Sequence, residues 1–301
     1  MYINFKLLIV LCSFSYNAFA QDFILNPSSI THPVVASKGM VATQHYLASK
    51  VGEDILSQGG NAYDAAVAVG FALAVVLPRA GNIGGGGFMV MHDAKSNEAF
   101  SIDYREKAPL KASRDMYLND DGSVNSLRST VGYLAIGVPG SVYGMWEVHK
   151  KFGSMEWAEL LQPAIKLASE GFVMSQYMTM TLNSRYKKLS QFPETKDIFY
   201  KDYPIEFNNV LIQADLAQTL TLIAQNGVAG FYEGEVADKI VNAMEKNGGL
   251  ISHRDLKKYR PNWRKPLRSN YKGMNIITMG PPSSGGIHLI QMLNILENYN
   301  L

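Results

Sequence analysis

The run Ala65-Ala66-Val67-Ala68-Val69-Gly70-Phe71-Ala72-Leu73-Ala74-Val75-Val76 constrains this chain most. It carries no charge after Asp64 and is apolar all round, and Pro78 ends it. A helix of this kind over Ala62–Leu77 is too short for a bilayer, which needs ~20 residues. It must instead be buried in a large core, where its small residues let neighbours approach closely. The run therefore predicts a layered protein with a covered sheet. Asn61 is a good N-cap for it, and Asp64, three residues on, completes a capping box. The preceding segment repeats at helical spacing through Ser57. Ala48, Val51, Ile55 and Leu56 share a face, and Gly59-Gly60 stops the helix.

Gly81-Asn82-Ile83-Gly84-Gly85-Gly86-Gly87 follows. It is no phosphate loop, because no Gly-Lys-Ser/Thr follows and the spacing is not G-x-G-x-x-G. Consecutive glycines predict close backbone packing or special dihedrals beside a site, with a purely structural turn as the alternative. Two strands are expected next, Phe88–Asp93 and Glu98–Arg105, joined by a turn at Lys95-Ser96-Asn97. In the second, Phe100, Ile102 and Tyr104 share one face, and Ser101, Asp103 and Arg105 the other. Read alone, Arg105 is an arginine paired with a nearby acid, Asp103 or Glu106.

The remaining chain is mostly helical, with apolar periodicity in Val142–Lys151, Trp157–Ser169, Asp215–Asn226 and Glu235–Lys246. Tyr186–Asn209 is polar and aromatic without a period and is expected on the surface. Ser252 and Asp255 spell another capping box. The basic, aromatic stretch Lys257–Lys265 is expected to be a solvated face. With 28 basic and 26 acidic side chains, nothing marks a nucleic-acid binder. The six histidines form no close ligand pair, so neither metal nor cofactor is expected. Residues 1–20 read as a secretory leader: Lys6, then an apolar stretch, then Ala18-Phe19-Ala20 as a cleavage site. Cleavage after Ala20 would remove Cys12, the one cysteine, and leave 21–301 in the periplasm or medium, with no membrane anchor.

Several segments together resemble the γ-glutamyltranspeptidases, or glutathione hydrolases. They are Gly-Gly-Asn-Ala-Tyr-Asp-Ala-Ala-Val-Ala at 59–68, Ala-Gly-Asn-Ile-Gly-Gly-Gly-Gly-Phe-Met at 80–89 and Asp-Tyr-Arg-Glu-Lys-Ala-Pro at 103–109. Gly137-Val138-Pro139-Gly140, Gly248-Gly249-Leu250-Ile251 and Pro281-Pro282-Ser283-Ser284-Gly285-Gly286-Ile287-His288 continue the likeness, which runs from about Ser37 to Leu301. The resemblance implies an α+β fold, the four-layer αββα sandwich of N-terminal nucleophile hydrolases. It implies a precursor that cuts itself into large and small subunits, exposing a threonine that attacks the γ-glutamyl carbonyl. It also implies that Arg105 grips the α-carboxylate of that group, which a planar guanidinium can do bidentately.

On this reading residues 21–301 are a large-subunit portion, and the sandwich is incomplete without the small subunit. The nucleophilic threonine lies beyond Leu301, so no catalytic residue is expected in this chain. The small subunit would come from the same precursor or a separate gene. Ser283-Ser284 are expected to form a turn and helix cap, because the family's catalytic serine and glycine pairs belong to the small subunit. Two rivals remain. One is a cephalosporin or glutaryl acylase of the same superfamily. The other is a truncated, non-catalytic remnant, whose exposed sheet faces and edges should make it aggregate.

Overall fold

The computed structural model describes residues 34–300, so the expected leader and Cys12 lie outside the described residues. The chain divides into two units, Met1–Gly39 and Met40–Leu301. In the first, residues 34–39 carry neither helix nor strand. The second opens with helices α1 (Tyr46–Ser57) and α2 (Ala62–Val76), then strands β1 (Phe88–Asp93) and β2 (Glu98–Asp103). A long irregular segment leads to α3 (Ser141–Phe152), α4 (Trp157–Glu170), β3 (Phe172–Val173), α5 (Gln176–Leu189) and α6 (Pro193–Phe199). There follow β4 (Val210–Leu211), α7 (Ala214–Asn226), α8 (Ala229–Tyr232), α9 (Gly234–Lys246) and α10 (His253–Lys258). Last come β5 (Asn262–Arg264), β6 (Leu267–Tyr271), β7 (Met274–Thr278) and α11 (Gly285–Leu296). The fold is α+β, as expected. Among the described residues the strands make one three-stranded antiparallel sheet, β1-β2-β5, and two two-stranded ones, so only part of a four-layer sandwich is present.

The caps act as the sequence predicts. The Asn61 side chain accepts the backbone N–H of Tyr63 and Asp64, and Asp64 accepts that of Asn61 at 2.9 Å. Asp64 does more than cap. Wholly buried, it also takes the Ser154 hydroxyl at 2.6 Å and the Ser154 N–H at 3.0 Å, fastening the α3–α4 connection to α2. At the other end of α2, Gln213 donates to the Val75 carbonyl at 3.0 Å, satisfying an acceptor that a helix terminus leaves open.

The helix is buried in a large core, as expected; its neighbours there are chiefly other helices, α1, α4 and α3, more than the sheet. Phe71 on α2 meets the Trp157 ring edge-on at 5.5 Å, and the Trp157 indole donates to the Ile223 carbonyl on α7 at 2.9 Å. Leu160, Leu161, Leu220 and Ile223 complete this fully buried centre. An all-round apolar helix is equally well housed by helices, and periodicity does not tell the two surroundings apart.

Tyr186–Asn209 is also not simply surface. Its start continues α5, α6 occupies its middle, and Tyr200 and Ile205 are buried. The Tyr200 hydroxyl donates to the Leu182 carbonyl at 2.9 Å. Asn183 exchanges two hydrogen bonds with the Ile205 backbone, and Tyr186 stacks on Tyr203 at 3.7 Å. These partners satisfy a polar, aromatic segment without any apolar period. By contrast α11 buries only Gly286. It leaves Ile287, Met292 and Ile295 exposed.

Candidate functional site

The antiparallel hairpin of β1 and β2 pairs Phe88 with Asp103, and β5 adds Ile102–Trp263 and Asp103–Asn262 on the far edge. Arg105 leaves this sheet two residues after β2 ends. Its backbone is held from several directions. Gly87 and Tyr104 exchange backbone hydrogen bonds at 3.0 and 3.3 Å, and Lys107 and Val138 do so at 2.8 and 3.2 Å. The Arg105 N–H donates to Asp103 Oδ1 at 3.1 Å, and its carbonyl accepts the Tyr259 hydroxyl at 2.8 Å.

The glycine run has a definite use here. None of Gly84 to Gly87 takes a left-handed φ, so special dihedrals are not the reason for it. A Cβ on Gly86 would stand 2.5 Å from the Tyr104 carbonyl oxygen and 2.7 Å from Arg105 Cα. The loop therefore lies against the backbone that carries Arg105, a distance only glycine allows. Its Gly85 carbonyl receives the N–H groups of Gly140, at 2.6 Å, and Ser141, at 3.0 Å, joining the loop to the start of α3. Gly140 is equally confined, since a Cβ there would strike the Tyr104 carbonyl and the Tyr259 hydroxyl.

Tyr259 follows α10, whose Ser252–Asp255 capping box is present as predicted. Asp255 also accepts the Leu110 N–H at 2.6 Å, tying the segment after Arg105 to that helix. Burial pushes the Tyr104 phenol up to about 12. Burial, aided by the nearby Asp103 and Glu106 carboxylates, raises Tyr259 as well. Both phenols stay protonated, and Tyr259 remains a donor to Arg105. Their folded values lie above the ordinary tyrosine value of about 10, so the stability they add is complete below that pH and is lost as pH rises through the folded values, about 12 for Tyr104 and higher for Tyr259. Burial raises Tyr232 well above the ordinary value too, so absorbance at 295 nm is expected to show at least three tyrosines ionising only as the circular dichroism of the fold is lost.

The Arg105 side chain is 57% exposed. Its guanidinium lies 5.8 Å from the Phe88 ring centre, and among the described residues its one acidic neighbour within 4 Å is Glu106, at 3.9 Å. Exposed contacts of that length contribute ~0–1 kcal/mol. Asp103 does not pair with it, because Asp103 Oδ2 is taken by Arg264, with Nη2 at 2.7 Å and Nε at 2.9 Å. Of the two alternatives for Arg105, pairing with Asp103 is thus excluded and pairing with Glu106 is loose. The Arg105 backbone is held on both sides, while its guanidinium stays more than half exposed.

Tyr259 and Arg264 correct the expectation of a solvated Lys257–Lys265 face. Tyr259 is buried, Arg264 neutralises Asp103, and Lys151 Nζ lies over the Trp263 and Phe100 rings at 4.5 and 4.3 Å. The alternation in Asn262-Trp263-Arg264 was the available signal, a three-residue strand masked by its charge. Ser283 and Ser284 sit at the start of α11. Ser284 occupies the cap position without a side-chain capping bond, and the Ser283 hydroxyl accepts the Gly285 N–H at 3.3 Å. The turn is present; the expected serine cap is not the usual one.

Residues 48–301 match the family model of γ-glutamyltranspeptidase. The glutathione hydrolase proenzyme of Escherichia coli (strain K12) is 46% identical over 274 residues, which are 90% of this chain and 47% of that protein. The crystal structure of Helicobacter pylori γ-glutamyltranspeptidase superposes with a TM-score of 0.87 at 47% identity, covering 90% of this chain and 78% of that one. The acylase ACY 1 proenzyme of Pseudomonas sp. (strain V22) is 41% identical over 89% of this chain and 49% of its own length. This chain belongs to the γ-glutamyltranspeptidase family. It spans about half the length of the curated relatives it matches. Among the described residues no helix is long and apolar enough to cross a membrane.

Proposed function

We propose that residues 21–301 form the large-subunit portion of an enzyme that transfers γ-glutamyl groups from glutathione and related compounds, or hydrolyses them. In this reading the leader is removed after Ala20 and the enzyme works in the periplasm or medium. Arg105 carries the proposal: its backbone is fixed on both sides, and its guanidinium keeps only a loose 3.9 Å contact with Glu106. A guanidinium so placed suits the α-carboxylate of a γ-glutamyl group, and orienting that carboxylate separates it from the γ-carbonyl to be attacked. The attacking threonine belongs to the small subunit, supplied by the same precursor or by a separate gene. No threonine in 1–301 has the Thr-Thr-His context of that position.

A second reading, an acylase acting on glutaryl amides, is favoured by the acylase relative and by the fact that such substrates also carry a carboxylate. Turnover of γ-glutamyl and glutaryl p-nitroanilides by this chain assembled with its small subunit tests both. The γ-glutamyl compound is expected to be preferred about tenfold or more, since a site built for a hydrogen-bonding group discriminates against its absence. The reverse preference would establish the acylase reading, and turnover of neither the non-catalytic one. Residues 1–301 alone are expected to release no product, and release would overturn the need for a small subunit.

A further inference from the structure

We infer that Arg264 is a positioning residue for Arg105: by holding the Asp103 carboxylate, it keeps that carboxylate from closing on the Arg105 guanidinium. This rests on Arg105 being a carboxylate-binding group, as proposed above. Asp103 is the last residue of β2, and Arg105 follows it by two residues, so the carboxylate and the guanidinium are carried by one short stretch of chain. Asp103 Oδ1 already accepts the Arg105 N–H at 3.1 Å, so the carboxylate lies against the arginine's own backbone. The side chain of Asp103 is only 7% exposed. A carboxylate so enclosed needs a cation or hydrogen-bond donors on its oxygens.

Two arginines are within its reach along this surface, and the structure divides their duties. Oδ2 receives both Nη2 and Nε of Arg264. The Arg264 backbone is held by the β2–β5 pairing and by the Ser101 hydroxyl, which donates to its carbonyl at 2.9 Å. Arg105, the more exposed of the two, keeps only the 3.9 Å contact with Glu106. Without Arg264, Asp103 would turn to Arg105. An internal carboxylate two residues away competes with a substrate carboxylate at a very high effective concentration. Arg264 makes no substrate contact in this scheme; it removes a competitor.

The test uses the assembled enzyme and reads KM and kcat for the anilide it turns over, with the Kd for L-glutamate measured calorimetrically on the same proteins. Arg264→Ala is expected to raise both KM and Kd about tenfold or more with kcat changed less than about threefold. Adding Asp103→Asn, which removes the competing charge, is expected to bring both to within about threefold of wild type. Arg264→Lys, which keeps a cation at Oδ2, is expected to recover much of the affinity. Should Arg264→Ala not fold, Arg264→Gln replaces it, keeping a donor but no charge. An unchanged KM and Kd in a folded single variant would overturn the inference. So would a raised value that Asp103→Asn fails to restore, because a purely structural role for Arg264 predicts no such rescue. Wild-type enzyme that binds glutamate but turns over no γ-glutamyl compound would refute the proposed function while leaving this test in force. Failure of wild type to bind glutamate would remove both.

Discussion

Arg105→Ala is expected to raise KM for γ-glutamyl substrates about 100-fold in the assembled enzyme. Truncating one partner of a hydrogen-bonded charge pair costs about 2–5 kcal/mol, and every 1.4 kcal/mol is tenfold in affinity. The figure belongs toward the lower half of that range, because the Arg105 side chain is more than half exposed and water screens what it binds. The fold should be unaffected. Its loose contact with Glu106 contributes little, and the hydrogen bonds at this position are made by its backbone, which alanine also possesses. The expected signature is therefore a KM effect at unchanged Tm. Arg105→Lys should fall between, keeping the charge but losing the planar pair of donors. An unchanged KM in Arg105→Ala would end the assignment of this residue to substrate.

The largest effect on stability is expected from Asp64→Ala. This buried carboxylate accepts the Asn61 N–H, the Ser154 N–H and the Ser154 hydroxyl. Alanine would leave these donors unpaired beside the core, each costing about 1–3 kcal/mol. Some would relax toward water, so a total of about 3–4 kcal/mol is the expected loss, with Tm lowered by roughly 5–10 °C. Asn61→Ala should cost less, about 1 kcal/mol, because it removes the cap but leaves the Ser154 contacts intact. Equal losses from the two substitutions would show that Asp64 acts only as a cap. Thermal unfolding followed by circular dichroism in the assembled enzyme decides the matter.

The contrast between these residues shows what could be read in the chain beforehand. The capping boxes at Asn61–Asp64 and Ser252–Asp255 were legible, because a cap is satisfied within four residues. So was the burial of the run from Ala65 to Val76, which follows from composition alone. Arg105 was legible only through the motif around it. Its type and spacing equally suited a pair with Asp103, and the arginine that takes that place lies 161 residues further on. Tyr259 was hidden among lysines and arginines, where local charge suggested a wet surface. Its burial depends on the Arg105 carbonyl and the Gly140 backbone meeting it. The glycine run announced close packing but not its partner. Tyr186–Asn209 escaped because its buried side chains, Tyr200 and Ile205, are few and stand among polar and aromatic residues that find partners across a turn, which leaves no period to detect.

The hydroxyl of Tyr259 and the carbonyl it supports are separated by 154 positions in the chain. At ribosomal speeds of about 5–20 residues per second, roughly 8–30 s pass between synthesis of the arginine and arrival of the tyrosine. During that interval the glycine loop and the β1–β2 hairpin can form, but the arginine's outer flank has no support and Asp103 has no Arg264. The order of synthesis thus assigns the final setting of this arginine to segment 252–264, and a nascent chain halted before it would present the right residue in an unfinished place.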